Sequence, residues 1–331
     1  MEQAGPAYLP WQAPLLSRAL DLKARGRLPQ AVIIDDDSRQ DSGGFVHYLA
    51  SLLLCDQPRE LTPCGACDAC RMMQAGTYAD YALITLEIDE KTKKLSKNIK
   101  IEQIRKLIHE VSLTHQYARL KIAAIYPAEH LSRGGANAFL KTLEEPAPGV
   151  LLMLVTHNRG RIPITLRSRC QTWRLGLPQR AEARDWLQQQ GLTAGDADTY
   201  LDYAGGDPVL ALDLQQSDYA SLVADFKQRL GNFLRGSLAA SSLCQHLKSF
   251  DTALLRRLID MTLNAYCYRS SGVDAAGNPL EDGDRERAQR LLELRQRAQN
   301  QLQVEENNLD LQLQLEDVLI SLKQILTRRT I

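Results

Sequence analysis

The sequence predicts an α/β domain built on one parallel five-stranded sheet, followed by two helical domains, and three observations lead there. Short apolar runs alternate with amphipathic stretches through the first half of the 331 residues, the pattern left by crossover helices that cover both faces of a parallel sheet. Beyond Leu175 the strand signals stop. From Ser217 onward the chain is rich in Leu, Gln and Arg at helical spacing, as in a bundle. These shifts set the expected domains at 1–175 (α/β), 176–216 (small and helical) and 217–331 (all-helical). Domains of roughly 100–200 residues make two or three the expected number for this length.

The expected strands are Ala31–Asp35, Tyr81–Glu87, Leu120–Tyr126, Val150–Thr156 and Gln171–Leu175, each enriched in Val, Ile, Leu or Tyr and bounded by turn residues. Between the second and third, Ile101, Ile104, Leu107, Ile108 and Val111 recur at helical spacing, which predicts a helix over Ile101–Val111 lying on the sheet. Ser132 is the expected cap of the next helix, whose inward residues are Ala136, Phe139, Leu140 and Leu143. That helix should stop at Glu144-Glu145-Pro146, because proline disfavours helical geometry in the residue before it. After the sheet come helical patterns at Ala181–Gln190, Ala197–Tyr203 and Val209–Asp213, then at Ala253–Tyr268 and Arg285–Leu302. Leu309, Leu311, Leu313 and Leu315 alternate at period two, while Leu315, Val318, Leu319 and Leu322 fit a helix, so a short extended lead-in to a final helix is expected.

Hydrophobic residues at 44% and charged residues at 24% exclude wholesale disorder. Mean hydropathy of -0.30 leaves no apolar surplus for a bilayer, and no stretch nears the ~18 apolar residues of a membrane helix. Met1–Trp11 has neither a basic region nor an apolar signal core, so the expected location is the cytoplasm. Lys and Arg number 40 and Asp and Glu 40; with no net charge, no global field draws nucleic acid or an anionic membrane, and any such contact has to be local.

Four of the seven cysteines, Cys55, Cys64, Cys67 and Cys70, fall in the spacing C-x8-C-x2-C-x2-C. Four thiolates so placed can converge on one tetrahedral ion, and zinc prefers that donor set; Pro63 and Gly65 supply the turn chemistry. With every position filled by sulfur, such a site is structural. An iron–sulfur cluster also uses C-x2-C-x2-C, although the further C-x3-C-P of bacterial ferredoxins is missing. Ordinary buried cysteines remain the plain alternative, and they account for Cys170, Cys244 and Cys267.

A parallel sheet whose first strand feeds a helix invites a search for G-x-x-x-x-G-K-[ST]. In its place stand Asp36-Asp37-Ser38-Arg39-Gln40-Asp41-Ser42-Gly43-Gly44, whose carboxylates repel phosphate. At the end of the third strand, where an ATPase keeps carboxylates for Mg²⁺ and water, the chain reads Tyr126-Pro127-Ala128, with Glu129 just beyond. Two parts of a nucleotide site are therefore missing from a domain otherwise built for one. After Thr156, Arg159, Arg161, Arg167 and Arg169 crowd into one connection, which has to reach the surface. A surface salt bridge is one use for such an arginine, and stabilising phosphate charge in a neighbouring subunit is another.

Ala136-Asn137-Ala138-Phe139-Leu140-Lys141-Thr142-Leu143-Glu144-Glu145-Pro146, followed by Ser168-Arg169-Cys170, resembles the clamp-loader branch of the AAA+ ATPases, whose nucleotide domain is P-loop NTPase-like. Four cysteines after the first helix and the degraded phosphate loop narrow the resemblance to bacterial DNA polymerase III clamp-loader subunits. The resemblance implies an AAA+ domain with a zinc-binding insertion at 55–70, a small helical lid, and a C-terminal collar through which a hetero-pentameric ring assembles. It implies that Arg169, with motif neighbours Ser168 and Cys170, is an arginine finger acting in trans at the ATP site of a gamma or tau subunit. Cys55, Cys64, Cys67 and Cys70 match the family's ligands for structural Zn²⁺. Thr156 falls at sensor 1, Val209 replaces the arginine of sensor 2, and Ser42 falls where the phosphate-loop lysine would be; with Asp36 and Asp41 beside it, this chain is expected to bind no nucleotide.

The implied function is that of a rigid, non-hydrolysing wall of the ring during loading of the beta sliding clamp onto primed DNA. Implied partners are the gamma/tau ATPase subunits, the delta subunit, the beta clamp and, through the assembled complex, primer-template DNA; no membrane is involved. The chain is then part of the DNA polymerase III holoenzyme, a DNA-directed DNA polymerase, without being an ATPase by itself. Lys141 and Arg133 are candidates for DNA contact, the plain alternative being a solvated helix face. Two other classes stay open: an ATP-hydrolysing gamma-like motor and a zinc-dependent DNA-binding module.

Overall fold

Val32, Ile33 and Ile34 are wholly buried, and a run apolar on both faces makes β1 (Ala31–Asp36) an interior strand. The computed structural model describes residues 8–36, 42–88, 93, 95–113, 120–217, 219–247, 252–271, 285–303 and 311–327. The remaining strands are β2 (Tyr81–Ile84), β3 (Lys121–Ile125), β4 (Val150–Thr156) and β5 (Gln171–Leu175). They form one parallel sheet in the order β2-β3-β4-β1-β5. Burial follows position: β3 and β4 are buried throughout, whereas the edge strands β2 and β5 are half-buried or alternate between exposed and buried residues.

Successive side chains of a strand point to opposite faces, and helices cover both. Val32 and Ile34 join Leu16, Leu49 and Trp173 in one core layer under α1 (Ala13–Ala24) and α2 (Ser42–Leu54). A short α3 (Asp68–Gln74) follows the cysteine loop. On the other face Ile33 joins Ile104, Leu107, Phe139 and Leu152 under α4 (Ile101–Ser112) and α5 (Arg133–Glu144). Ser132 caps α5 as expected, its Oγ accepting the Gly135 N–H at 3.1 Å. Gly135 lets the two helices close on each other, since a Cβ there would stand 3.2 Å from Ile104 Cγ1. α5 ends at Glu144, ahead of Pro146.

Two expected strand bounds shift for one reason. β3 stops at Ile125, and the Tyr126 N–H to the Ile84 carbonyl, at 2.9 Å, is the last rung that β2 has. Among the described residues Thr85, Leu86 and Glu87 pair with no strand of the sheet, the Glu87 carbonyl accepting instead the Ser96 N–H at 2.7 Å, so β2 is shorter than its sequence pattern. β1 instead gains Asp36, which pairs with Leu175.

Beyond α5 the chain passes through β4, the one-turn α6 (Ile164–Arg167) and β5 to α7 (Arg180–Gln189). The packing of the chain divides it into two compact units, Met1–Trp186 and Leu187–Ile331. The second contains α8 (Ala194–Ala204), α9 (Pro208–Gln216), α10 (Tyr219–Arg235), α11 (Ala240–Leu247), α12 (Thr252–Ser271), α13 (Arg285–Gln303) and α14 (Leu311–Thr327). Tyr219, Phe226, Leu258, Leu291 and Leu319 lie in its core. α14 corrects one expectation: residues 311–315 are helical rather than extended. Leu315, Val318, Leu319 and Leu322 are buried at helical spacing while Leu313 is 59% exposed, so the 3.6 period outweighs the alternation. Leu309 lies outside the described residues. Among those described, no helix is long and apolar enough to cross a membrane.

Candidate functional site

The cysteines come together. Cys55 follows the last residue of α2, a loop turns back through paired Arg59 and Thr62 backbones at 2.9 Å, and Gly65 takes the left-handed conformation with φ 71°. Cys67 caps α3, its sulfur accepting the Cys70 N–H at 3.4 Å. The Cys67 N–H points to Cys64 Sγ at 3.4 Å, and the Cys64 N–H to Cys55 Sγ at 3.3 Å. Cys55 Sγ lies 4.0 Å from Cys67 Sγ, Cys64 Sγ lies 3.9 Å from Cys70 Sγ, and all four sulfurs fall within 4.8 Å of one another. A tetrahedral zinc with bonds of about 2.3 Å has sulfur edges of about 3.8 Å. The donor set therefore fits a tetrahedral ion nearly as it stands. Backbone N–H groups of Ala66 and Cys67 hold the Cys64 thiol down to about 6, whereas burial pushes the Cys55 and Cys70 thiols up. A cation that binds here has to displace those protons. Cys170 and Cys267 are half-buried and Cys244 is buried, all apart from the cluster.

A second constellation sits at the C-terminal edge of the sheet, where open parallel sheets receive ligands. Asp36 at the end of β1 is 1% exposed, and Ser42, the first residue of α2, donates its hydroxyl to Asp36 Oδ2 at 2.6 Å. His157 follows β4; its Nδ1 lies 3.3 Å from the Asp36 carbonyl and its Nε2 3.1 Å from Tyr126 Oη and 3.4 Å from Ser42 Oγ. A neutral imidazole protonated on Nδ1 satisfies this arrangement, with the Tyr126 hydroxyl donating to Nε2. Thr156 is wholly buried and accepts the Asn158 N–H at 3.0 Å, and Glu129 Oε1 accepts the His157 N–H at 3.3 Å. The start of a helix is where a bound phosphate would otherwise sit. Here the chain's own carboxylate faces it. Asp41 lies outside the described residues.

The third feature is the arginine connection. Arg161 and Arg169 are exposed, while Arg159 and Arg167 are half-buried. Arg169 Nε and Nη2 reach Glu144 Oε1 at 2.9 and 2.6 Å, and Nη1 reaches the Thr165 carbonyl at 2.9 Å and Ser168 Oγ at 3.3 Å. Ser168 also donates to the Thr165 carbonyl at 3.2 Å. Cys170 lies beneath, and burial pushes its thiol up to about 11. Arg133 and Lys141 are exposed on α5. In the second unit, Val209 is half-buried one residue into α9, its N–H held at 3.1 Å by the capping Asp207. Its aliphatic side chain has no charge to offer a phosphate.

Sequence reasoning singled out Asp36, Ser42 and Arg169, but not His157 or Glu144 as their companions. A histidine directly after a strand-end threonine was a local signal for the first; the second is visible only once α5 and α6 are placed together.

Known proteins are similar to this chain. The family model described as DNA polymerase III, delta subunit, matches residues 12–178. DNA polymerase III subunit delta' of Pseudomonas aeruginosa is 30% identical over 248 residues, 74% of this chain and 73% of that protein. The protein of the same name from Haemophilus influenzae is 30% identical over 230 residues, 69% of this chain and 68% of that one. DNA polymerase III subunit tau of Salmonella typhimurium is 33% identical over 150 residues, 45% of this chain but 22% of its own length.

Proposed function

This chain belongs to the DNA polymerase III delta-prime family, and on that premise we propose that it is a non-hydrolysing subunit of the replicative clamp loader that lends Arg169 to a neighbouring ATPase subunit. The observation that carries the first half is the Asp36 carboxylate against the start of α2. Among the described residues, a phosphate placed there meets the buried Asp36 carboxylate, and like charge opposes it. The second half rests on an exposed guanidinium held at the end of α6 and on the charge a transferring phosphoryl group develops.

The four cysteines hold structural zinc in this reading, with every position filled by sulfur and none left for water. Bound zinc supplies a cross-link between the end of α2 and α3, and no reactive step. The other parts follow the same plan: 176–216 as lid, 217–331 as collar, gamma/tau and delta subunits as ring neighbours, and the beta clamp and primed DNA as what the assembled ring acts on.

The test is a reconstituted loader carrying Arg169→Ala. Assembly should persist while DNA-stimulated ATP hydrolysis falls; arginine fingers supplied in trans contribute about 10³–10⁵ in rate, reduced here by however many other sites in the ring retain theirs. Unchanged hydrolysis and clamp loading refute the role. Micromolar ATP binding by the free chain would favour a motor subunit instead, and salt-sensitive DNA binding by the free chain would favour a DNA-binding module.

A further inference from the structure

We propose that Glu144 is a positioning residue for Arg169, an inference that rests on the arginine-finger reading above. Glu144 is the last residue of α5 and meets Arg169 from 25 positions away in sequence. Its Oε1 accepts from Nε at 2.9 Å and from Nη2 at 2.6 Å, so one oxygen holds the side edge of the guanidinium. Across the plane, Nη1 is held by the Thr165 carbonyl at 2.9 Å and by Ser168 Oγ at 3.3 Å. Together these contacts fix the plane and leave the outer N–H of Nη2 without a partner among the described residues.

Both holders stand on packed elements. Leu143 beside Glu144 and Leu166 beside Thr165 are buried in the same core layer. The guanidinium is thus tied to the sheet from two directions although its own side chain is 35% exposed. A free arginine spreads over many rotamers, and that freedom has to be lost each time the group meets a phosphate. Holding it beforehand moves the loss into folding. A pair this exposed adds little to stability, so its effect falls on geometry. The carboxylate also opposes phosphate by charge, and the experiment decides whether orientation outweighs that opposition.

The experiment uses the full chain in the assembled loader and compares Glu144→Ala, Glu144→Gln, Arg169→Ala and the double Ala variant in DNA-stimulated ATP hydrolysis. Glu144→Ala should lower kcat about tenfold, the order expected for one lost orienting contact, with KM for ATP unchanged. Glu144→Gln, which keeps an acceptor oxygen, should recover most of that loss, and the double variant should match Arg169→Ala. If Arg169→Ala itself leaves hydrolysis intact, the finger reading falls. If Arg169→Ala is impaired while Glu144→Ala equals the parent, or adds its full loss to the double variant, positioning is overturned and the finger stands. A Glu144→Ala loader faster than the parent also overturns it, by making the carboxylate a restraint. Thermal unfolding of each free chain checks folding; should the Ala variant fail, Glu144→Asp, one methylene shorter, carries the same comparison.

Discussion

With zinc held as proposed, withdrawing it should loosen one corner of the first unit and leave the sheet alone. α3 has 7 residues, far fewer than an isolated helix needs to persist. Apart from its cysteines, Ala69 and Met73, at 5% and 3% exposure, and half-buried Met72 tie it to the core. Burying a methionine contributes about 1.5–3 kcal/mol, so apolar contact alone should hold α3 by about 2.8 kcal/mol. That figure converts to about a hundredfold protection of its amides against exchange. Zinc adds free energy on the scale of about 10 kcal/mol in small peptides, enough to bring α3 up to the level of the sheet. The assay is metal analysis of protein purified without chelator, followed by hydrogen exchange before and after chelation. One zinc per chain is expected, with chelation dropping amides such as Arg71, bonded to the Cys67 carbonyl at 3.0 Å, while those of β1, β3 and β4 stay put. Iron in place of zinc, substoichiometric metal, or an α3 that remains as protected as the sheet after chelation would refute the reasoning.

Ser42→Ala removes the hydroxyl that donates to the buried Asp36 carboxylate at 2.6 Å, and urea unfolding should register a loss of about 1–3 kcal/mol; a loss near zero would mean that the bond is not formed in solution. Burial pushes the Tyr219 hydroxyl up to about 12 from its ordinary 10.0, so the folded state keeps a proton that the unfolded state releases. Stability from this group is complete below pH ~10 and is lost as pH rises toward ~12. Tyr219→Phe should flatten that alkaline decline and change stability at pH 7 by no more than ~1 kcal/mol, because the hydroxyl has no hydrogen-bond partner among the described residues. A variant that is much weaker at neutral pH, or equally sensitive to alkali, contradicts it.

The strands of the first unit were legible because β1, β3 and β4 are buried on both faces and so read as continuous apolar runs. β2 was over-extended for a reason no window of sequence contains: its length is set by where its partner ends, at Ile125. α10 went unnamed although Val223, Phe226, Leu230 and Phe233, all buried, carry the three-and-four spacing of an amphipathic helix. At the far end, alternating leucines mimicked a strand because Gln312 and Gln314 fall between them, yet Gln314 is itself buried in α14. Polarity at one position is a poor guide to its face when a bundle closes around it.

The candidate sites divide along the same line. The cysteine cluster, which could hold a metal ion, gathers its four sulfurs from 16 consecutive positions, Cys55 to Cys70, and the spacing alone points to it. The pairs Asp36 with His157 and Arg169 with Glu144 are separated by 121 and 25 positions, and nothing local links their members. What joins them is the sheet order: β4 lies next to β1, which sets His157 beside Asp36, and the end of α5 lies against α6. The consequence for function is a contrast within one domain. At the ligand edge of the sheet, the start of α2 is met from within by a carboxylate and an imidazole. At the end of α6 a cation is held with an N–H to spare. In the proposed reading, a protein that keeps its helix terminus occupied while presenting an oriented guanidinium completes another subunit's site, and loss of the hold on Arg169 should be felt in the neighbour's turnover before it is felt in this chain's own fold.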